Sequence, residues 1–310
     1  MQEPEGRPVP LGKIGCNRED GYVNGITIDA GKCTLCGACI AECPAYVLAA
    51  AEDTASVVAP ERCIICGHCV AVCPEDAVSH ADLPGACDAI DAALGVSPPA
   101  LMQLMRTRRS IRSYTDEPVS HDDLKTLLQA AVYAPSGHND QAWQFIVIRG
   151  REKLLGLANA VTGFMESLLT QLANPAGRDA LAKLLPPTMV KHLEEMMPSF
   201  RLIVESQHAG ADIIFRGAPA LIAIHTPRGL GTGTEDAHYA AGNIMLVAHA
   251  MGLGTCLIGF LVGPARHSPQ IAATIGIPPE NEIGTALVVG HPKHRYRRIV
   301  PRRQPPVKWV

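Results

Sequence analysis

Eight of the eleven cysteines fall into two copies of one string. Cys33, Cys36, Cys39 and Cys43 precede Pro44; Cys63, Cys66, Cys69 and Cys73 precede Pro74. Both read C-x2-C-x2-C-x3-C-P, a spacing that lets thiolates converge on [4Fe–4S] clusters. Three closely spaced cysteines wrap one cluster, and the fourth, beyond a turn ended by proline, reaches the other. The spacing therefore assigns Cys33, Cys36, Cys39 and Cys73 to cluster one, and Cys63, Cys66, Cys69 and Cys43 to cluster two. The competing chemistries are a pair of zinc sites or a disulfide framework. Zinc more usually takes two separated C-x2-C knuckles than an unbroken run closed by proline. The expected chemistry is one-electron transfer.

The elements that must position these thiols form a duplication with a period of thirty residues, over 25–81. Ile26 and Ile28 before the first run, and Val57 and Val58 before the second, read as short strands. Short segments after each C-P, Ala45 to Ala50 and Glu75 to Ser79, complete each repeat. So small a unit has little apolar core, and cluster ligation is expected to supply much of its stability. Residues 1–24 are an N-terminal extension, rich at its start in proline, glycine and charge, without the apolar stretch of a signal peptide. Residues 82–99, with Pro84, Gly85, Pro98 and Pro99, read as a linker whose alanine-rich middle is helical.

At 310 residues the chain has room for a small domain and a second one of ordinary enzyme size, here 100–310. The apolar share of 47% is that of a globular protein. A net charge of −3 and an aromatic share of 4% argue against a nucleic-acid partner. No stretch approaches the roughly 18 uninterrupted apolar residues of a membrane helix. Cluster assembly needs reduced thiols, which points to the cytoplasm.

In the second part, Ser120 and Asp123 start a helix in the manner of a capping box. Leu124, Leu127, Leu128, Ala131 and Val132 follow at helical spacing and Pro135 stops it. Phe145 to Ile148, Leu221 to Ile224 and Ala286 to Val289 read as strands. Glu152 to Ala211 reads as helical, interrupted at Pro186-Pro187 and at Pro198. Asp236 to Met251 is nearly all apolar and is expected to be a helix buried on every side, at the domain centre or a subunit interface. Arg108, Arg109, Ser110 and Arg112 place three guanidinium groups and a hydroxyl within one short segment, which suits a phosphate. Such a segment can equally be a solvated charged turn. Ala134 to Asn139 is a polar loop between the capped helix and the next strand, a position that often carries ligand contacts.

Taken together, RRSIRSY, APSGHNDQAWQFIVI, FRGAPALIAIHTP, DAHYAAGNIMLVAHAMGLGTCLIGF and TALVVGHPKHRYRRIVPRR occur in an order that resembles the nitroreductase family of FMN enzymes, from about Arg106 to the C-terminus. The first part is similar to a bacterial-type 2[4Fe–4S] ferredoxin. The resemblance implies an α+β fold, a central sheet flanked by helices, in an intertwined homodimer with FMN at the subunit interface. It implies that Arg108, Arg109, Ser110 and Arg112 contact the flavin phosphate and ring edge. Pro135, Ser136, Gly137 and Asn139 would line the isoalloxazine from the partner subunit. Ile258 and Gly259 match the backbone amides near flavin N5, and Lys293, Arg295 and Arg302 are the C-terminal phosphate candidates. Leu257 stands where many relatives carry tryptophan.

The expectation is an FMN-dependent oxidoreductase. Electrons from reduced ferredoxin or flavodoxin enter the clusters, pass to FMN and leave to an organic acceptor such as a nitroaromatic or quinone. The rivals are an electron-transfer subunit of a larger complex and a reductive dehalogenase-type flavoenzyme. No residue is expected to act as an essential acid or base. His138 is a minor proton-donor candidate. Cys256 and Trp143 are expected in the core, and His238 and His249 to be hydrogen-bonded within it.

Overall fold

A computed structural model describes residues 25–310, so the 1–24 extension and Cys16 lie outside the described residues. The chain divides into two units. One comprises the described residues up to Gly95 together with Ser136–Gln141; the other comprises Val96–Pro135 and Ala142–Val310.

The first unit is the duplication made visible. β1 (Ile26–Ile28) pairs antiparallel with β4 (Val78–His80), and β2 (Leu48–Ala50) with β3 (Ala55–Val57). α1 (Ala38–Ala41) and α2 (His68–Ala71) each follow a glycine in the left-handed region, Gly37 and Gly67. Leu35 and Ile65, and Tyr46 and Asp76, also repeat a positive φ at the thirty-residue period. Side chains rarely adopt that conformation, so its recurrence shows the same backbone path imposed twice. The buried apolar residues of this unit are few: Ile26, Val47, Leu48, Ala55, Ala59, Ala77, Val78 and the thiols Cys39 and Cys69.

The linker's alanines form only a 3-10 turn, Ala92–Leu94, not a regular helix. Its last prolines belong to the next element. Ser97 caps α3 (Pro98–Thr107), and Pro98 sits in the first turn, where a missing N–H costs nothing.

In the second unit, β5 (Gln144–Arg149), β6 (Ala220–Pro227), β8 (Asn281–Gly290) and β7 (Gly254–Leu257) form, in that order, an antiparallel sheet. β6 is apolar from Ala220 to Ile224 because the pleat sends alternate residues to two covered faces. Ala220, Ile222 and Ile224 pack with α4 (His121–Ala131) and α8 (Gly233–Ala250). Leu221 and Ala223 face α5 (Arg151–Ala173), α7 (Pro187–His208), α9 (Gly259–His267) and α10 (Pro269–Ile275). The fold is α+β, as expected.

One expectation is corrected. Pro198 does not interrupt α7; it lies inside it, with Phe200 and Ile203 beyond it buried in the core. That burial holds the far half in line against a cost of about 3 kcal/mol for an interior proline. Within the single chain, Asp236, Ala237, Ala240, Ala241, Ile244 and Ala248 of α8 form one buried stripe, whereas His238 and Tyr239 are exposed. α6 (Pro175–Leu184) lies between α5 and α7 in the chain and is capped by Asn174. Among the described residues no helix is long and apolar enough to cross a membrane.

Candidate functional site

The first unit gathers its thiols into two cavities, each of about 340 Å³. One is lined by Cys33, Cys36, Cys39 and Cys73; the other by Cys43, Cys63, Cys66 and Cys69. Each thus draws three cysteines from one run and the fourth from the other. No described cysteine is in a disulfide. Among the described residues no group of three His, Cys, Asp or Glu closes around a single metal ion. Four thiols drawn from both runs to line one cavity suit a polynuclear cluster better than one zinc ion.

Backbone N–H groups point at the sulfurs. Val47 donates to Cys43 Sγ at 3.3 Å, and its repeat counterpart Ala77 to Cys73 Sγ at 3.2 Å. The left-handed turn at Ile65 aims its N–H at Cys63 Sγ, 3.4 Å away. The Thr54 hydroxyl, then the Ala55 and Leu35 backbone, hold the Cys33 thiol below its ordinary pKa. Burial pushes Cys39 up, with the charges of Cys33 and Cys36 adding to it, and burial carries Cys69 to about 11. Ligation must therefore displace protons from the two most buried thiols.

His80 is a group that sequence reasoning missed. It lies seven residues past Cys73, at the end of an ordinary-looking strand, and its Nε2 sits 3.4 Å from Cys63 Sγ. Asn139, in the loop assigned to the flavin, donates from Nδ2 to the carbonyls of Ile64 (3.1 Å) and Ile65 (3.0 Å), and its Oδ1 accepts from Gln141 Nε2. Both ends of its amide are engaged. Ser136 Oγ accepts from the Gln141 N–H, and Ser136, Gly137 and Asn139 belong to the first unit while Pro135 belongs to the second. His138, Asn139 and Gln141 all carry positive φ, a concentration of strain typical of functional loops. His138 is exposed.

In the second unit the Arg108–Tyr114 segment threads between β7 and the chain after β8. The Ile111 N–H donates to the Thr255 carbonyl, Thr115 N–H to His291 and Lys293 N–H to Ser113. Gly254 permits this approach: a Cβ there would stand 2.6 Å from the Ile111 side chain. Ser110 bridges to Thr255. Arg109 spends both terminal nitrogens on the carbonyls of Arg106, Arg108 and Arg298. Its Nε is buried without a hydrogen-bond partner, an uncommon state that a bound acceptor would relieve. Burial lowers the His249 pKa, and the Arg108 and Arg109 charges lower it further, so the two cations share one positive field. His249 Nε2 is paired with Thr107 Oγ1 at 2.9 Å. Arg112, Lys293, Arg295 and Arg302 are exposed.

Ile258 caps α9, and its N–H is taken by the Ala286 carbonyl at 2.9 Å. Gly259 opens that helix, where a backbone N–H has no intrahelical partner. Leu257 beside it is 40% exposed, so its side chain contributes to the surface around that amide. Cys256 and Trp143 are buried in the core. His238 is exposed, its Nδ1 2.7 Å from the Thr234 carbonyl. A buried pair the sequence did not show is His225 with Asn281, 2.8 Å apart; burial lowers the His225 pKa.

A model of the nitroreductase family matches residues 105–291. The chain belongs to that family. A 4Fe-4S dicluster domain model matches residues 25–74, the stretch that holds both cavities' cysteines. An NADH dehydrogenase of Thermus thermophilus is 28% identical over 190 residues, which are 60% of this chain and 83% of that protein. A nitrobenzene nitroreductase of Ectopseudomonas oleovorans is 25% identical, over 62% of this chain and 86% of its own. Among solved structures, a Bacteroides fragilis nitroreductase with bound FMN is 22% identical, covers 67% of this chain and 94% of that one, and gives a TM-score of 0.47.

Proposed function

We propose that the chain is an iron–sulfur flavoprotein oxidoreductase. It takes electrons from a low-potential donor such as reduced ferredoxin or flavodoxin at two [4Fe–4S] clusters and hands them by way of FMN to an organic acceptor such as a nitroaromatic or quinone. The observation that carries the reading is the gathering of eight thiols into two cavities, four in each, in a chain whose other unit belongs to the nitroreductase family. When bound, the clusters supply one-electron transfer and FMN both one- and two-electron chemistry.

The residues present fit these groups. Cys33, Cys36, Cys39 and Cys73 would hold one cluster, and Cys43, Cys63, Cys66 and Cys69 the other. Arg108, Arg109, Ser110 and Arg112 would neutralise and orient the flavin phosphate, with Lys293, Arg295 and Arg302 as further cations. The orphaned Arg109 Nε supports this. The Gly259 N–H would face developing negative charge on the ring. The homodimer is supported by large apolar side chains left exposed on the single chain, Met102 and Met105 on α3 and Tyr239 on α8.

Anaerobic purification followed by iron, sulfide and flavin analysis tests the cofactor set. About eight irons and one FMN per chain are expected. An acceptor screen with dithionite as reductant should then show turnover by the protein alone, and failure of every acceptor class would favour a subunit of a larger complex. The name of the Thermus thermophilus relative favours a second reading, in which NADH reduces the flavin directly. Comparing flavin bleaching by NADH and by reduced ferredoxin separates the two.

A further inference from the structure

Cys63 is distinguished from its repeat counterpart Cys33 by what stands behind it. His80 Nδ1 accepts the Asp82 backbone N–H at 3.2 Å. That fixes the neutral tautomer: the proton is on Nε2, the nitrogen 3.4 Å from Cys63 Sγ. The Asp82 carboxylate is 3.9 Å from Nδ1, beyond hydrogen-bond length. The imidazole side chain is 2% exposed, so water does not compete for the sulfur.

The room for this ring is specific to one repeat. A side chain at Gly25 would run into His80 Nδ1 and the Asp82 carboxylate. Ile26 pairs with His80 in one sheet, and Ala55 with Ala50 in the other. By that register the counterparts of Gly25 and His80 are Thr54 and Ala50. One repeat has glycine and an imidazole aimed at Cys63; the other has a methyl group and a threonine whose hydroxyl serves Cys33.

A second donor converges on the same sulfur. The Ile65 N–H that points at Cys63 Sγ belongs to the peptide whose carbonyl, that of Ile64, accepts from Asn139 Nδ2. Asn139 therefore holds that peptide plane from behind and polarises it.

We propose that His80 and Asn139 are positioning residues that direct two N–H groups onto Cys63 and raise the reduction potential of cluster two above the value its cysteines alone would set. Hydrogen bonds to cluster sulfurs favour the reduced, more negative state, and groups that orient ligands tune metal sites. The inference rests on the iron–sulfur reading above.

The test is an EPR-monitored redox titration of the anaerobically purified, full-length holoenzyme. His80→Ala is expected to disfavour reduction of one cluster about tenfold, about 59 mV for a one-electron couple, and to leave the other unmoved. His80→Gln, which can present an N–H near the same place, should recover most of the shift. Asn139→Leu should lower the same cluster in the same direction, and it supplies the measurement if His80→Ala does not hold its clusters. Unmoved potentials in variants that retain about eight irons, or equal shifts in both clusters, overturn the inference. A wild-type protein without two cluster signals would instead overturn the iron–sulfur reading.

Discussion

Replacing Cys73 by serine should remove the cluster that the first cysteine run wraps, not the one beside it in the sequence. Cys73 closes the second run, yet its thiol lines the cavity of Cys33, Cys36 and Cys39. Each cavity has four thiols, and one of them is lent by the other run. Losing the lent thiol leaves three ligands for that cluster and all four for its neighbour. Iron should fall from about eight to about four per chain, with a matching loss of sulfide. Cys43→Ser should give the same iron count by the opposite loss, because Cys43 lines the cavity of Cys63, Cys66 and Cys69. The two variants are told apart by EPR: the cluster surviving in Cys73→Ser is the one whose potential answers to His80→Ala. If instead the cluster surviving in Cys43→Ser shows that response, the crossed assignment is refuted.

Ile222 is wholly buried at the centre of the sheet, and Ile222→Ala should cost about 2–5 kcal/mol, read as a lower urea midpoint at unchanged slope. Gly254→Val should force the Arg108–Tyr114 segment off β7; overpacking of this kind costs about 1–3 kcal/mol, and FMN retention on gel filtration should fall with it. His225 has a folded pKa below its unfolded value, so the stability it contributes is present in full above about pH 6.5 and is lost as pH falls through the folded pKa. Below that pH, urea titrations should show wild type losing stability faster than His225→Gln, by at most about 1.4 kcal/mol per pH unit.

Much of this was legible in the chain because it is local. A cysteine run closed by proline specifies its own turn, and the capping pair Ser120 and Asp123 marks a helix start whichever residues pack on it. The apolar run of β6 announces a strand covered on both faces. What was not legible depends on partners distant in sequence. His80 reads as one more strand residue until the β1–β4 register sets it beside Gly25 and aims it at Cys63. Nothing near Asn139 says that its amide will meet residues 64 and 65, some 75 positions earlier. Pro198 reads as a break because its local cost is visible, whereas the burial of Phe200 and Ile203 that outweighs it is not. The apolar composition of α8 shows how much of it avoids water, but not that its buried residues form one stripe in the single chain.

The most direct test of an electron path from clusters to flavin is rapid anaerobic mixing of the oxidised, fully loaded protein with reduced ferredoxin, following the cluster and flavin absorbances together. Cluster bleaching should lead and flavin bleaching follow within the same reaction, and Cys73→Ser should slow the flavin phase. Flavin that stays oxidised beside reduced clusters, or that is reduced as fast in Cys73→Ser as in wild type, would contradict it.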